Sequence, residues 1–305
     1  MQSTSRLLNI LNDSLRTSFT SALLIIKLVV PFYILADILL YFDILPYLTF
    51  LFEPVTRILQ LPAEAALALA GGMLINLYAG IAFAAPLGLD ALQWTVLAVF
   101  LGVCHSLIIE CAVMAKLGVS WGFSVLLRVS MALLTVWPLR WMPNSWFQDT
   151  FRLAETPAPP DEGFIAMLTT SLQGAVGLTV KIILLITAVI VLMDLVKAVP
   201  LVQRYIEKVN TAFSIIAGQL LGISYGAGIL IREVSEGRLS REDILFVATF
   251  LSICHSIIED VLLFVIFGAN FWVVVCLRLF FAVAASLLLL VAFRRCLPLD
   301  WAVRP

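Results

Sequence analysis

The sequence predicts an all-α fold: a polytopic transmembrane helical bundle built from two pseudo-symmetric repeats, with about 8 full spans plus short interfacial or re-entrant helices and interrupted helices. Three observations predict it. Of 305 residues, 62% are hydrophobic and 13% charged, and the mean hydropathy is +1.07, values outside the range of a soluble domain. Apolar runs long enough to cross the hydrocarbon core recur along the chain. Finally, Cys104-His105-Ser106-Leu107-Ile108-Ile109-Glu110 returns 150 residues later as Cys254-His255-Ser256-Ile257-Ile258-Glu259-Asp260, and these segments hold the only two histidines.

The elements follow in order. Residues 1–18 place Leu7, Leu8, Ile10, Leu11 and Leu15 near one helical face, without the contiguous apolar core and small-residue cleavage site of a signal peptide; this predicts an N-terminal interfacial helix. The first repeat, 19–140, contains apolar runs at 19–42, 64–86, 92–117 and 121–140. The segment 141–163 is a polar, proline-rich linker that cannot continue a helix. The second repeat, 164–305, contains runs at 174–196, 212–231, 244–267 and 271–293. In each half a shorter segment, 46–61 or 200–210, lies between the first and second runs. Gln203, Arg204, Glu207 and Lys208 make the second of these too charged to span lipid.

Further pairs support the repeat. Gly118 and Arg128 match Gly268 and Arg278 at an offset of 150, Tyr78 matches Tyr225 at 147, and Lys27 and Pro46 match Lys181 and Pro200 at 154. With the termini inside, cytoplasmic segments carry ten Lys or Arg residues against five on the other face. This predicts a cytoplasmic (inner) membrane protein with both termini cytoplasmic. Four crossings per half make the repeats parallel and five make them inverted; the charge count fits both.

The second run of each half has a glycine-rich polar interruption. Asn76 and Tyr78 follow Gly71 and Gly72, and Gln219, Ser224 and Tyr225 lie among Gly218, Gly222, Gly226 and Gly228. Interruptions at corresponding places in two halves point to a substrate site, because unwound backbone can meet a polar solute; small residues also serve close helix packing. The third and fourth runs form hairpins across the turns at Gly118 and Gly268. At 1.5 Å per residue, Glu110 and Arg128 sit roughly level, as do Asp260 and Arg278, which predicts intramembrane ion pairs in both hairpins.

Within a continuous helix, His255 and Glu259 share a face, whereas His105 and Glu110 do not. The candidate coupling or metal residues are His105, His255, Glu259, Cys104 and Cys254. A divalent metal, a coupling ion or a proton suits this set, and a structural role is the remaining reading. No cofactor is certain. The five cysteines sit in or at the end of apolar runs and read as free thiols. Without a basic stripe, nucleic acid is excluded as a partner; the bilayer, a small-molecule or ion substrate, and a homo-oligomer or partner subunit remain. No HExxH, nucleophile elbow, P-loop or dinucleotide fingerprint is present, so no enzyme is predicted.

Taken together, the glycine-rich span with Asn76/Tyr78 and Ser224/Tyr225, the Cys-His-Ser segments, and the hairpins with Arg128 and Arg278 resemble the Gate or nucleoside-recognition domain. That domain occurs in spore maturation proteins A and B, in the membrane part of ferrous-iron transport protein B and, more remotely, in concentrative nucleoside transporters. The resemblance covers 20–140 and 174–294 as two tandem copies. It implies a permease for a nucleoside-like solute working by alternating access at a midplane site. The alternatives are a divalent metal cation transporter and a membrane scaffold or sensor. The soluble GTPase portion of the iron transporters has no counterpart in this sequence.

Overall fold

A computed structural model describes residues 2–44, 47, 50, 52–148, 151–153, 163–199, 230–231, 233–234 and 236–304. The described elements are all helical: α1 (Gln2–Tyr41), α2 (Glu53–Leu59), α3 (Ala65–Leu74), α4 (Leu77–Ala84), α5 (Ala91–Cys104), α6 (Leu107–Lys116), α7 (Trp121–Val136), α8 (Phe164–Ala198), α9 (Arg241–Ile253), α10 (Glu259–Val265) and α11 (Phe271–Arg295), with short 3-10 turns. Local chemistry sets many of the starts. Asp90 with Gln93 and Ser240 with Asp243 form capping boxes at α5 and α9, while Ser120 and Asn270 cap α7 and α11. The hairpin turns use Gly118 and Gly268 at φ +88° and +102°, where a side chain would be strained.

Among the described residues, five helices are long and apolar enough to cross a membrane: Ile10–Tyr41, Ala91–Lys116 taken across its break, Trp121–Trp141, Phe164–Val196 and Phe271–Arg295. The described residues thus hold five of the expected eight spans. All of the run at 212–231 except residues 230 and 231 lies outside the described residues, as do 200–210 and the core of the linker, 154–162. The run at 244–267 is divided between α9 and α10. At the N-terminus, α1 continues unbroken from Gln2 into the first span, through Pro31, so no joint separates residues 2–18 from the span.

The run at 64–86 does not cross. A Cβ on Gly80 would lie 3.0 Å from the Cα of Gly72, and one on Gly71 would lie 2.9 Å from the Phe83 ring, whereas residues eight apart in a straight helix are separated by about 12 Å. Helices α3 and α4 thus fold back on each other as a re-entrant hairpin whose tip is Ile75–Asn76. Its glycines let the two arms touch, the packing role that small residues serve in membranes.

The long helices α1 and α8 lie antiparallel, and their contact is reciprocal. Ser14 Oγ donates to Asp194 at 2.7 Å, and Ser171 faces the Asp37 carboxylate without completing hydrogen-bond geometry. Both pairs are related by an offset of 157, and the buried residues Ser18, Ile25 and Val29 have buried counterparts at the same offset in Ala175, Ile182 and Ile186. This register replaces the Lys27–Lys181 equivalence at 154. Lys27 is exposed and Lys181 Nζ donates to the Leu153 carbonyl, so the two lysines are not structural partners.

Because only one of the two serine–aspartate contacts is closed, the two serines respond differently to removal. Ser14→Ala costs about 1 kcal/mol, the net worth of a buried hydrogen bond. Ser171→Ala is close to neutral. Thermal unfolding of the two variants in detergent checks the difference; equal losses would contradict the geometry.

Candidate functional site

The third span of the first half breaks where its histidine falls. His105 is extended (φ −75°, ψ 163°) and Ser106 is left-handed (φ 46°). The second copy repeats the break, with Ser256 at φ 45° and α10 starting only at Glu259. Such a break orphans backbone carbonyls, which lipid cannot satisfy. The arginine across the hairpin satisfies them. Arg128 Nε and Nη2 donate to the carbonyls of Val103 and His105 at 3.0 and 3.1 Å, and Arg278 Nε and Nη2 donate to those of Ile253 and His255 at 3.2 and 2.9 Å. Both guanidinium groups are fully buried.

Arg278 also ties the halves together, since its Nη2 donates to the Gly102 carbonyl at 2.6 Å. A Cβ on Gly102 would sit 3.0 Å from the guanidinium carbon, a tight contact that glycine avoids.

The hairpin tip rests on the first break. Ser106 donates through its N–H to the Gly72 carbonyl at 3.0 Å and through Oγ to the Ile75 carbonyl at 3.3 Å. Two interrupted helices therefore satisfy part of each other's exposed backbone. Asn76 caps α4, its Oδ1 accepting from Ala79 N at 3.1 Å, and Tyr78, two residues on, lies within the field of Glu259 and Asp260.

Beside this junction, Glu110 collects three partners. Its Oε2 accepts from Arg128 Nη1, and its Oε1 lies 2.8 Å from His105 Nε2 and 3.3 Å from His255 Nε2. The imidazole centroids are 5.2 Å apart. The opposite ring nitrogens, His105 Nδ1 and His255 Nδ1, each lie 2.8 Å from a main-chain carbonyl, of Leu101 and Leu251 respectively. All three side chains are buried.

The expected ion pairs differ in quality. Glu110–Arg128 is closed, whereas Asp260 Oδ2 stands 3.7 Å from Arg278 Nη2, and neither Asp260 Oδ2 nor Arg278 Nη1 has a hydrogen-bond partner among the described residues. Two further expectations are corrected. His105 and Glu110 meet because the break removes the helical geometry that would separate them. His255 meets Glu110 rather than Glu259, because no continuous helix joins His255 to Glu259. Cys104 and Cys254 are buried but are not part of the His105–Glu110–His255 group. Gln219, Ser224 and Tyr225 lie outside the described residues.

The chain is 31% identical over 273 residues to "Uncharacterized membrane protein YvoD" of Bacillus subtilis (strain 168), an alignment covering 86% of this chain and 88% of that protein. No protein-family model matches the chain, and no solved structure does.

Arg128→Leu strands a buried carboxylate and costs about 3–5 kcal/mol. Adding Glu110→Gln recovers part of this, with about 1–3 kcal/mol remaining because the Val103 and His105 carbonyls stay unpaired. Arg128→Lys fails to substitute, since an ammonium lacks the planar fork that reaches three acceptors; folded yield and unfolding midpoints of the three variants check this. Gly102→Val displaces the Arg278 guanidinium and costs about 1–3 kcal/mol, as overpacking does, read in the same assay.

Proposed function

The chain belongs to the family of the Bacillus subtilis membrane protein YvoD, and on that premise we propose that it is an alternating-access permease for a small polar solute. The observation that carries this reading is a re-entrant helical hairpin whose tip rests on the break of a spanning helix, next to the buried His105–Glu110–His255 group. Non-helical backbone at membrane depth is tolerated only where protein buries it or where it lines a cavity. Discontinuous helices in transporters place their ends at the substrate.

The second support is the arrangement of the halves. In the reciprocal contact of α1 with α8, Ser14 meets Asp194 while Ser171 faces Asp37, the pattern of a two-fold axis. Because the helices run antiparallel across the membrane, that axis lies in its plane, and the repeats are inverted. Inversion needs an odd number of crossings per half. Among the described residues each half supplies three: α1, α5–α6 and α7 in the first, and α8, α9–α10 and α11 in the second. Two like halves in opposite orientation can exchange conformations, closing one face as the other opens. Both termini are then on one side, the cytoplasmic one by the charge bias.

Asn76 and Tyr78 at the hairpin tip contact the solute, and Gln219, Ser224 and Tyr225 are their counterparts in the second half. The solute is nucleoside-like, the class implied by the Gate-domain resemblance. The histidine–glutamate group is the coupling centre.

Uptake of labelled nucleosides and nucleobases into proteoliposomes tests the reading. The wild type is expected to mediate saturable flux, and Asn76→Ala to lower it at least tenfold while the protein stays monodisperse. Well-folded protein that moves none of the panel would sink the permease reading and leave a scaffold or sensor.

A further inference from the structure

We propose that His105, His255 and Glu110 form a binding site for one divalent transition-metal ion of the Zn²⁺ or Fe²⁺ class. A main-chain carbonyl only accepts, so the Nδ1 atoms facing the carbonyls of Leu101 and Leu251 carry the imidazole protons. In a neutral ring the Nε2 atom is then a lone pair. Both Nε2 atoms point at one oxygen of Glu110, and the other oxygen accepts from Arg128. Three acceptor atoms then face one point, where a metal ion or a proton on an Nε2 atom can stand between them.

The spacing suits a metal. Ligand atoms bound at 2.0–2.2 Å in a tetrahedral shell stand roughly 3.3–3.5 Å apart. The His255 Nε2–Glu110 Oε1 separation of 3.3 Å matches this, the three donor atoms all lie within 4.8 Å of one another, and the His105 separation of 2.8 Å, a hydrogen-bond distance, opens by about 0.5 Å to admit an ion. Each ligand also has an outer partner of the kind that orients metal ligands, a carbonyl behind each histidine and an arginine behind the carboxylate. A mixed nitrogen and oxygen set selects first-row divalent ions over Mg²⁺ and Ca²⁺. Three protein ligands leave one position open, as in sites that exchange a ligand rather than purely structural ones.

The site lies between the histidines of the two halves, and its third ligand comes from one half only. Glu110 reaches both histidines, whereas its counterpart Asp260, one methylene shorter, is not among the three. Glu259, four residues after His255, is not among them either. The identity of the ion deepens the permease reading, as cargo or coupling ion, and rests on it only for what the ion does.

The test uses the full-length protein in detergent, stripped with chelator and titrated with Co²⁺. One equivalent is expected to give the visible absorption of a tetrahedral Co²⁺ site, displaced by Zn²⁺ and not by Mg²⁺. Glu110→Gln and His255→Ala each weaken binding at least about 100-fold, the upper end of what the loss of an outer-shell partner costs. Glu259→Gln leaves binding unchanged. Wild-type protein that is monodisperse and retains no Co²⁺ or Zn²⁺ after dialysis overturns the site without relying on any variant, as does binding lost in Glu259→Gln and kept in Glu110→Gln. Solute flux by metal-free protein without metal binding leaves the permease standing and ends this inference. Metal binding without flux of any solute does the reverse.

Discussion

A carbonyl released from a helix inside a membrane must find a donor in the protein, and two buried arginines meet that demand. Each reaches across a short hairpin to the two carbonyls freed at a histidine–serine break. Without them the carbonyls freed at the breaks would stay unpaired, and Glu110 would be a charge in apolar surroundings without its cation. The guanidinium group suits the role because one planar fork donates to two carbonyls and still faces a carboxylate. The cost of burying it is offset because the freed carbonyls are paired in both halves.

The same economy operates at the re-entrant hairpin. Its tip presents carbonyls that α3 cannot satisfy, and Ser106, left-handed because of the break in its own helix, supplies both an N–H and an O–H to them. Two irregular segments are therefore stable together where neither would be alone. Such a junction is also a natural place for motion, since a modest shift of one segment exchanges partners rather than destroying secondary structure.

The two halves are alike where backbone must be held and unlike where chemistry is done. The histidine-to-carbonyl bonds, serine conformations, arginine forks and capped hairpins recur. The acids differ. Glu110 engages two histidines and Arg128, while Asp260 stops short of Arg278 at 3.7 Å. One methylene gives a nearly symmetric scaffold a one-sided centre, so that a single ion has one preferred carboxylate.

Composition and periodicity by themselves determined that the chain is a helical membrane protein, because apolar run length answers to bilayer thickness alone. The repeated histidine segments, the Glu110–Arg128 pair and the interruption near Asn76 were legible for a related reason: polar groups in long apolar runs are costly and therefore conspicuous. Only the tertiary structure decided that residues 64–86 turn back, since an apolar run reads the same whether it crosses or reverses. The reciprocal register of α1 and α8 was hidden because uniform apolar sequence offers few landmarks, and the coincidence of Lys27 with Lys181 stood in for the true one. The meeting of both histidines on Glu110 depends on two backbone breaks that no helical periodicity encodes, held by side chains more than twenty residues away.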